Sequence, residues 1–151
     1  GGEGYRPDER KKMAAQLREM DCKGACSKET PLCTEAEIAD KLLALPMWKL
    51  GEGGKVIVRT FTARNFQAGM DFIVKAGAVA EVEGHHPDLH LVQYRDVRVE
   101  IWTHAVGGVT IYDFVLAAKI DAVEADYSPK WLKEQPWHVP ASPAAGLSHT
   151  A

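Results

Sequence analysis

Residues 85–104 read HHPDLHLVQYRDVRVEIWTH and decide the fold of this chain. The runs LHLVQY and VRVEIWTH are rich in β-branched and aromatic residues, and the second alternates between apolar and polar positions from Val97 to Ile101. Such runs are typical of β-strands. Only Arg95 and Asp96 join them, so the stretch predicts a hairpin with two histidines before its first strand and a third, His104, at the end of its second.

A long helix and another hairpin are predicted just upstream. The helix runs from Thr62 to near Gly84, a residue type common at helix C-termini. Its predicted core face holds Phe66, Met70, Ile73, Gly77 and Ala80. The hairpin consists of MWKL, the turn GEGG at residues 51–54, and KVIVRTF.

Two more helices enclose these elements. The first begins at TEAE, where Thr34 and Glu37 have capping-box spacing, and ends at Pro46. The second is VTIYDFVLAAKIDAVEA, with an apolar stripe of Val109, Leu116, Ala117 and Ile120. The order helix-strand-strand-helix-strand-strand-helix predicts the α+β class, with a four-stranded, largely antiparallel sheet covered by helices.

The chain divides into three parts by composition. Residues 1–33 form a charged extension that contains Cys22, Cys26 and Cys33 and a short amphipathic helix with Met13, Leu17 and Met20 on one face. Residues 34–126 form the domain. Residues 127–151 are a proline-rich tail, predicted to be mostly poorly ordered and to dock, if at all, through its tryptophans. The three cysteines lack a nearby fourth ligand for zinc, so free thiols or a local disulfide are expected.

Charge and hydropathy exclude some classes of partner. A net charge of −3 over 151 residues provides no basic field for direct nucleic-acid binding. No run approaches the roughly 18 apolar residues that a membrane span requires. Residues 1–33 are too rich in acids for a transit peptide. We therefore expect a soluble cytoplasmic protein or, alternatively, a plastid or mitochondrial one whose transit peptide has been removed.

Two carboxylates interrupt the apolar pattern. Asp113 lies on the predicted buried face of the last helix, where a carboxylate needs a partner. It also follows Thr110 by three residues, which is the spacing of a helix cap. Glu81 is four residues before His85 and could orient an imidazole one turn further on, or it could be a solvated helix residue.

The three histidines have both a structural and a chemical interpretation. His85 and His86 follow a helix C-terminus, where the dipole favours an imidazolium. Pro87 turns the two rings apart, which makes the pair a poor chelate for one metal ion. If the sheet brings His104 to this helix end, three imidazoles and two carboxylates converge. Imidazoles with a pKa of about 6.5 can hold a proton donor and a proton acceptor together at neutral pH, which suits the addition or elimination of water.

The ordered set of these residues resembles the pterin-4a-carbinolamine dehydratases. The stretch EVEGHHPDLHLVQYRDVRVEIWTHAVGGVTIYD contains the family's acidic residue, His-His-Pro, aromatic residue, histidine and aspartate in order, here Glu81, His85-His86-Pro87, Tyr94, His104 and Asp113. The resemblance covers residues 34–124. It implies dehydration of 4a-hydroxytetrahydropterin to quinonoid dihydropterin in tetrahydrobiopterin recycling, without metal or organic cofactor, by a homodimer or homotetramer.

The resemblance also implies roles for single residues. His85, His86 and His104 match the family's catalytic histidines. In our hypothesis His85 and His104 handle the protons of the C4a hydroxyl and N5, and His86 orients the pterin. The expected substrate-binding residues are Glu81, Pro87, Asp113 and Trp48, the last as part of the pocket wall.

Scaffold functions are the alternative. Members of the family in animals act as dimerisation coactivators of a homeodomain transcription factor, and plastid or bacterial relatives have been linked to Rubisco assembly. The runs HHPDLHLV, IWTHAVGG and DFVLAAKI look closer to the plant and algal branch than to the animal one, which favours the assembly function among the alternatives. Because a pure assembly factor has no use for all three histidines, the resemblance favours the enzyme.

Overall fold

A computed structural model of the chain describes residues 6–23 and 27–138. The sheet has four strands, β1 Trp48–Leu50, β2 Ile57–Thr62, β3 Asp88–Val92 and β4 Asp96–Ile101. The helices are α1 Pro7–Glu19, α2 Glu35–Ala44, α3 Phe66–Glu83, α4 Ile111–Asp121 and α5 Pro129–Lys133. The strand order is β1-β2-β4-β3 and every neighbouring pair is antiparallel. The predicted α+β class, element order and antiparallel sheet are confirmed.

Caps decide where the helices begin and end. Thr34 Oγ1 accepts from the Glu37 main-chain N–H at 3.1 Å, and Glu37 Oε1 accepts from the Thr34 N–H at 2.9 Å, which is the predicted capping box. The start of α3 is four residues later than predicted, because the side chain of Asn65 caps it through the Ala68 N–H at 2.9 Å. The helix ends at Gly84 in the left-handed region, with φ of 63°.

The face that α3 buries differs from the predicted one. The buried residues are Gly69, Phe72, Ala76 and Ala80. Phe66 and Met70, predicted to be core residues, are 53% and 38% exposed. The helix is apolar on two sides, and the close approach to β3 selects one of them, since a Cβ on Gly69 would lie 2.8 Å from Leu91 Cδ1. The other side leaves an exposed apolar stripe of Phe66, Met70, Val74 and Val82.

The N-terminal extension packs on the domain through α1. Leu17 is 1% exposed within the core cluster. The main-chain N–H of Cys22 donates to Glu83 Oε1 at 3.1 Å, and Lys119 Nζ donates to the Arg18 carbonyl at 2.9 Å. The predicted short helix is therefore present, and it is held to the ends of α3 and α4. The domain boundary at residue 33 stays a prediction.

Two of the three cysteines are described, and both are free thiols. Cys26 lies outside the described residues. Burial, with Glu83 nearby, raises the pKa of the Cys22 thiol to about 12. Burial likewise raises the pKa of Cys33 to about 11.

We predict that Cys22 and Cys33 resist alkylation in the folded protein. At pH 8 these raised pKa values leave thiolate fractions of about 10⁻⁴ for Cys22 and about 10⁻³ for Cys33, and the thiolate is the reactive species. Peptide mapping after treatment with iodoacetamide measures the labelling, and the same treatment in urea is the control that should label both. Rapid stoichiometric labelling of Cys22 in the folded protein would contradict this prediction.

Part of the predicted tail is packed on the domain. Tyr127 and Trp131 stack with their ring centroids 5.4 Å apart, and Tyr127 also meets Phe61 edge to face at 5.2 Å. Trp137 adds a third ring, 5.9 Å from Trp131. The expected docking of the tail through its tryptophans is present in residues 127–138, where Trp131 also lies 6.3 Å from Phe61. The expectation of poor order for most of the tail stays a prediction, because residues 139–151 lie outside the described part. Within the described ranges, no helix is both long and apolar enough to traverse a bilayer.

Candidate active site

His85 is the buried histidine of the site. It follows Gly84 at the end of α3, and its main-chain N–H donates to the Ala80 carbonyl at 3.3 Å. The residue is only 5% exposed. Its Nε2 lies 2.6 Å from Oδ1 of Asp113, in the first turn of α4. The helix end and the start of α4 therefore meet at a short carboxylate–imidazole hydrogen bond.

Asp113 combines the two roles that the sequence left open. It is fully buried. Its Oδ2 accepts from the Thr110 main-chain N–H at 2.7 Å, as a helix cap does, and from the Thr103 hydroxyl at 3.0 Å. Its Oδ1 faces His85. One carboxylate thus caps α4 and fixes the orientation of an imidazole.

His86 and Glu81 form a second carboxylate–imidazole pair at the surface. His86 Nε2 lies 2.7 Å from Glu81 Oε2, and the two side chains are 63% and 76% exposed. Glu81 therefore orients His86 and not His85. An exposed pair of this kind contributes little to stability, so the pairing acts on the orientation of the ring.

His104 begins a short 3₁₀ turn, His104–Val106, just beyond β4. Its ring lies against Trp102, with the centroids 4.3 Å apart, and the residue is exposed. The preceding residue, Thr103, is buried and contacts Asp113. The ends of β4 and α3 and the start of α4 therefore converge around Asp113. The joint action of the three histidines stays a prediction.

The two other predicted substrate-binding residues, Trp48 and Pro87, lie outside the His85–Asp113 contact. Trp48 is buried, and its indole N–H donates to Asp121 Oδ1 at 2.9 Å. Asp121 ends α4, and at 1.5 Å per residue that end is about 12 Å from Asp113. The structure thus places Trp48 in a separate cluster, not beside the histidines. Pro87 is half-buried directly after His86, where it leads into β3.

Sequence reasoning missed the buried hydroxyl of Thr103, and it assigned Thr110 to the helix cap without its contact to Thr103. Their Oγ1 atoms are 2.7 Å apart. The alternation of β4 contained a signal for one of them, because Thr103 continues the buried series Val97, Val99, Ile101. A threonine in a series of buried apolar residues needs a polar partner, and here that partner is the Asp113 carboxylate.

The cluster can transfer protons. It combines a buried imidazole fixed by a carboxylate with two more exposed imidazoles that solvent or a ligand can reach. Such groups serve as general acids and bases near neutral pH. Within residues 6–23 and 27–138 no group of three or more His, Cys, Asp and Glu side chains is arranged to hold a metal ion. Fold and site together define a small α+β protein with a candidate acid–base site.

Comparison with known proteins identifies the family. The family model described as pterin 4 alpha carbinolamine dehydratase matches residues 31–123. The mitochondrial pterin-4-alpha-carbinolamine dehydratase 2 of Arabidopsis thaliana is 39% identical over 74% of this chain, and the alignment covers 61% of that protein's length. A putative pterin-4-alpha-carbinolamine dehydratase 1 of Gloeobacter violaceus is 41% identical over 72% of this chain and 94% of its own.

The fold agrees with a solved structure of the same kind. The crystal structure of a transcriptional coactivator/pterin dehydratase from Brucella melitensis is 34% identical, with a TM-score of 0.57 over 61% of this chain and 97% of that one. The chain therefore belongs to the pterin-4a-carbinolamine dehydratase family, a family of hydro-lyases. The predicted resemblance is confirmed at the level of the family, and the assignment to its plant and algal branch stays a prediction.

Proposed function

We propose that this chain dehydrates 4a-hydroxytetrahydropterin to quinonoid dihydropterin by acid–base catalysis at His85, His86 and His104. The observation that carries the proposal is the buried His85–Asp113 pair, with 2.6 Å between Nε2 and Oδ1. His104 follows directly on the end of β4, the strand end that contacts Asp113 through Thr103. A histidine with no chemical role at a helix end would need no buried carboxylate as its hydrogen-bond partner. Membership of a dehydratase family supports the same reaction.

The reaction requires two proton transfers and no change of oxidation state. The bond between C4a and the hydroxyl oxygen breaks, and the leaving hydroxide takes a proton to become water. The proton on N5 is removed, and its electron pair forms the N5=C4a double bond. His85 and His104 carry these two protons in the proposal, while His86, held by Glu81, binds and orients the pterin ring.

The test is the dehydration itself. Purified protein is added to freshly generated 4a-hydroxytetrahydropterin, and the appearance of quinonoid dihydropterin is followed by absorbance. We expect a rate that rises in proportion to protein concentration above the spontaneous rate. Protein denatured beforehand is the control, and equal rates with native and denatured protein would exclude the proposed function.

A scaffold function is the second candidate. It is favoured by the similarity to the Brucella melitensis protein, which is named a transcriptional coactivator as well as a pterin dehydratase. The exposed apolar stripe on α3 is the kind of surface that a protein partner or a second copy of the chain covers. A chain without dehydratase activity that co-purifies stoichiometrically with Rubisco subunits would reverse the ranking. The predicted homodimer or homotetramer can be measured by light scattering on the same sample.

The cellular compartment of the protein is a further part of the proposal. The Arabidopsis relative is named mitochondrial, which supports the organellar alternative over the cytoplasmic prediction. In either compartment the proposed role is the recycling of a pterin that has served a hydroxylation reaction.

A further inference from the structure

A chain of two buried hydroxyls lies behind the Asp113 carboxylate. Thr103 and Thr110 are 1% and 0% exposed. The Thr110 and Thr103 Oγ1 atoms are 2.7 Å apart, and Thr103 Oγ1 is 3.0 Å from Asp113 Oδ2. The order Thr110, Thr103, Asp113, His85 is therefore a continuous hydrogen-bonded row that ends on an imidazole.

The number of protons on each group determines which atom donates in every hydrogen bond of this row. A carboxylate can only accept, so Thr103 must donate its single hydroxyl proton to Asp113. Thr103 then has no proton left for Thr110, so the Thr110 hydroxyl donates to Thr103. By the same rule His85 Nε2 must carry the proton that faces Asp113 Oδ1. In the neutral imidazole this leaves the lone pair on Nδ1.

The two hydroxyls are not needed to close the connection between β4 and α4. Main-chain hydrogen bonds already close it, from the Thr103 N–H to the Gly108 carbonyl at 2.8 Å and from the Gly107 N–H to the Thr103 carbonyl at 3.0 Å. The helix cap has two halves: Asp113 Oδ2 accepts from the Thr110 main-chain N–H at 2.7 Å, and the Thr110 side chain accepts from the Asp113 main-chain N–H. The second half uses only a lone pair of the Thr110 hydroxyl, so its proton stays available for Thr103. The hydroxyl protons of Thr110 and Thr103 therefore both point along the row that ends on the carboxylate.

We propose that Thr103 and Thr110 are positioning residues that, through Asp113, keep the proton of His85 on Nε2 and present Nδ1 as a proton acceptor. This inference rests on the proposed function and deepens it. His85 then takes the proton from N5 of the pterin, and His104 protonates the leaving hydroxide. With the Thr103 hydroxyl gone, Asp113 Oδ2 loses one of its two donors, and the carboxylate can rotate away from His85.

The variants form a graded series. Thr103→Val keeps the shape and removes the hydroxyl, and Thr103→Ser keeps the hydroxyl. Thr110→Val removes the outer hydroxyl, and with it one half of the α4 cap, and leaves the Thr103 donor free to face Asp113. Thr60→Val is the matched control, because Thr60 is also a strand threonine but lies exposed on β2. Should Thr103→Val fail to fold, Thr103→Cys replaces it, since a thiol is only a weak donor.

The first readout is independent of activity. Nitrogen-15 NMR of the imidazoles in the substrate-free protein distinguishes a protonated Nε2 from a protonated Nδ1, and the spectrum of His85→Gln identifies the His85 signals. We expect His85 to be the Nε2–H form in the wild type, in Thr103→Ser and in Thr60→Val. Thr103→Val should show a mixture of both forms, and Thr110→Val a smaller change.

The second readout is the dehydration rate. Thr103→Val should lower kcat about tenfold, while KM changes less than about threefold. The loss is a part of the roughly 10²–10⁴-fold rate enhancement that a positioned general acid or base contributes. Thr103→Ser should restore the rate. An unchanged His85 tautomer in Thr103→Val overturns this inference, whatever the activity. Absence of activity in the wild type, with the tautomer shift present, overturns the proposed function and leaves the positioning role standing.

Discussion

His85→Ala is expected to lower kcat for dehydration by about 10²–10⁴-fold with a smaller change in KM. The imidazole is buried against Asp113, so no solvent molecule can take its place with the same orientation. His104→Ala should cause a loss of similar size, because in the proposed reaction each ring carries one of the two protons. Steady-state rates of purified variants near neutral pH measure both effects.

His90→Ala is the matched control for these variants. His90 lies on β3 with its side chain 46% exposed, and its Nε2 is 3.1 Å from Glu100 Oε1. Like His85, it has a carboxylate partner, but it is not buried and does not lie at the candidate site. We expect its rate to stay within about twofold of the wild type. A wild-type rate in His104→Ala would remove that residue from the proton transfers, and a loss in His90→Ala would show that any histidine change damages the protein.

Local signals predicted the fold well. These signals involve only a few neighbouring residues, so they are visible in the sequence. They are the capping box at Thr34 and Glu37, the left-handed Gly84 and the period of two in β4. The buried face of α3 was predicted wrongly, because two apolar stripes run along one helix and only the position of β3 decides between them. Helix periodicity carries no information about which stripe the sheet covers.

The candidate site was predictable in its residues and less so in its contacts. The sequence indicated His85, His104 and Asp113 because polar residues interrupted apolar patterns at the ends of elements. It did not indicate that Asp113 would hold His85, 28 residues away, or that Thr103 would hold Asp113. Such pairs depend on the angle at which two helices and a strand meet, which no spacing along one element encodes.

The largest effect on stability is expected at the opposite end of α4. Asp121→Ala should lower the free energy of unfolding by about 3–5 kcal/mol, because it removes the charge that compensates a buried guanidinium. Arg59 is 1% exposed, and its Nη1 lies 3.0 Å from Asp121 Oδ1. The same oxygen accepts from the Trp48 indole at 2.9 Å. Burial raises the pKa of Asp121 to about 6, so measurement at about pH 7.5 keeps the carboxylate ionised.

Asp126→Ala and Asp121→Asn separate burial from charge in this prediction. Asp126 pairs with Arg64 at 2.9 Å, but the two side chains are 55% and 53% exposed, so its loss should cost less than about 1 kcal/mol. Asp121→Asn keeps an oxygen that can accept from Trp48 and Arg59, and its unfolding free energy should fall between those of the wild type and Asp121→Ala. Urea denaturation gives all three values, and equal losses in Asp121→Ala and Asp126→Ala would contradict the role of the buried pair. Because this cluster is about 12 Å from Asp113 along α4, Asp121→Ala should retain kcat per folded molecule even as its unfolding midpoint falls.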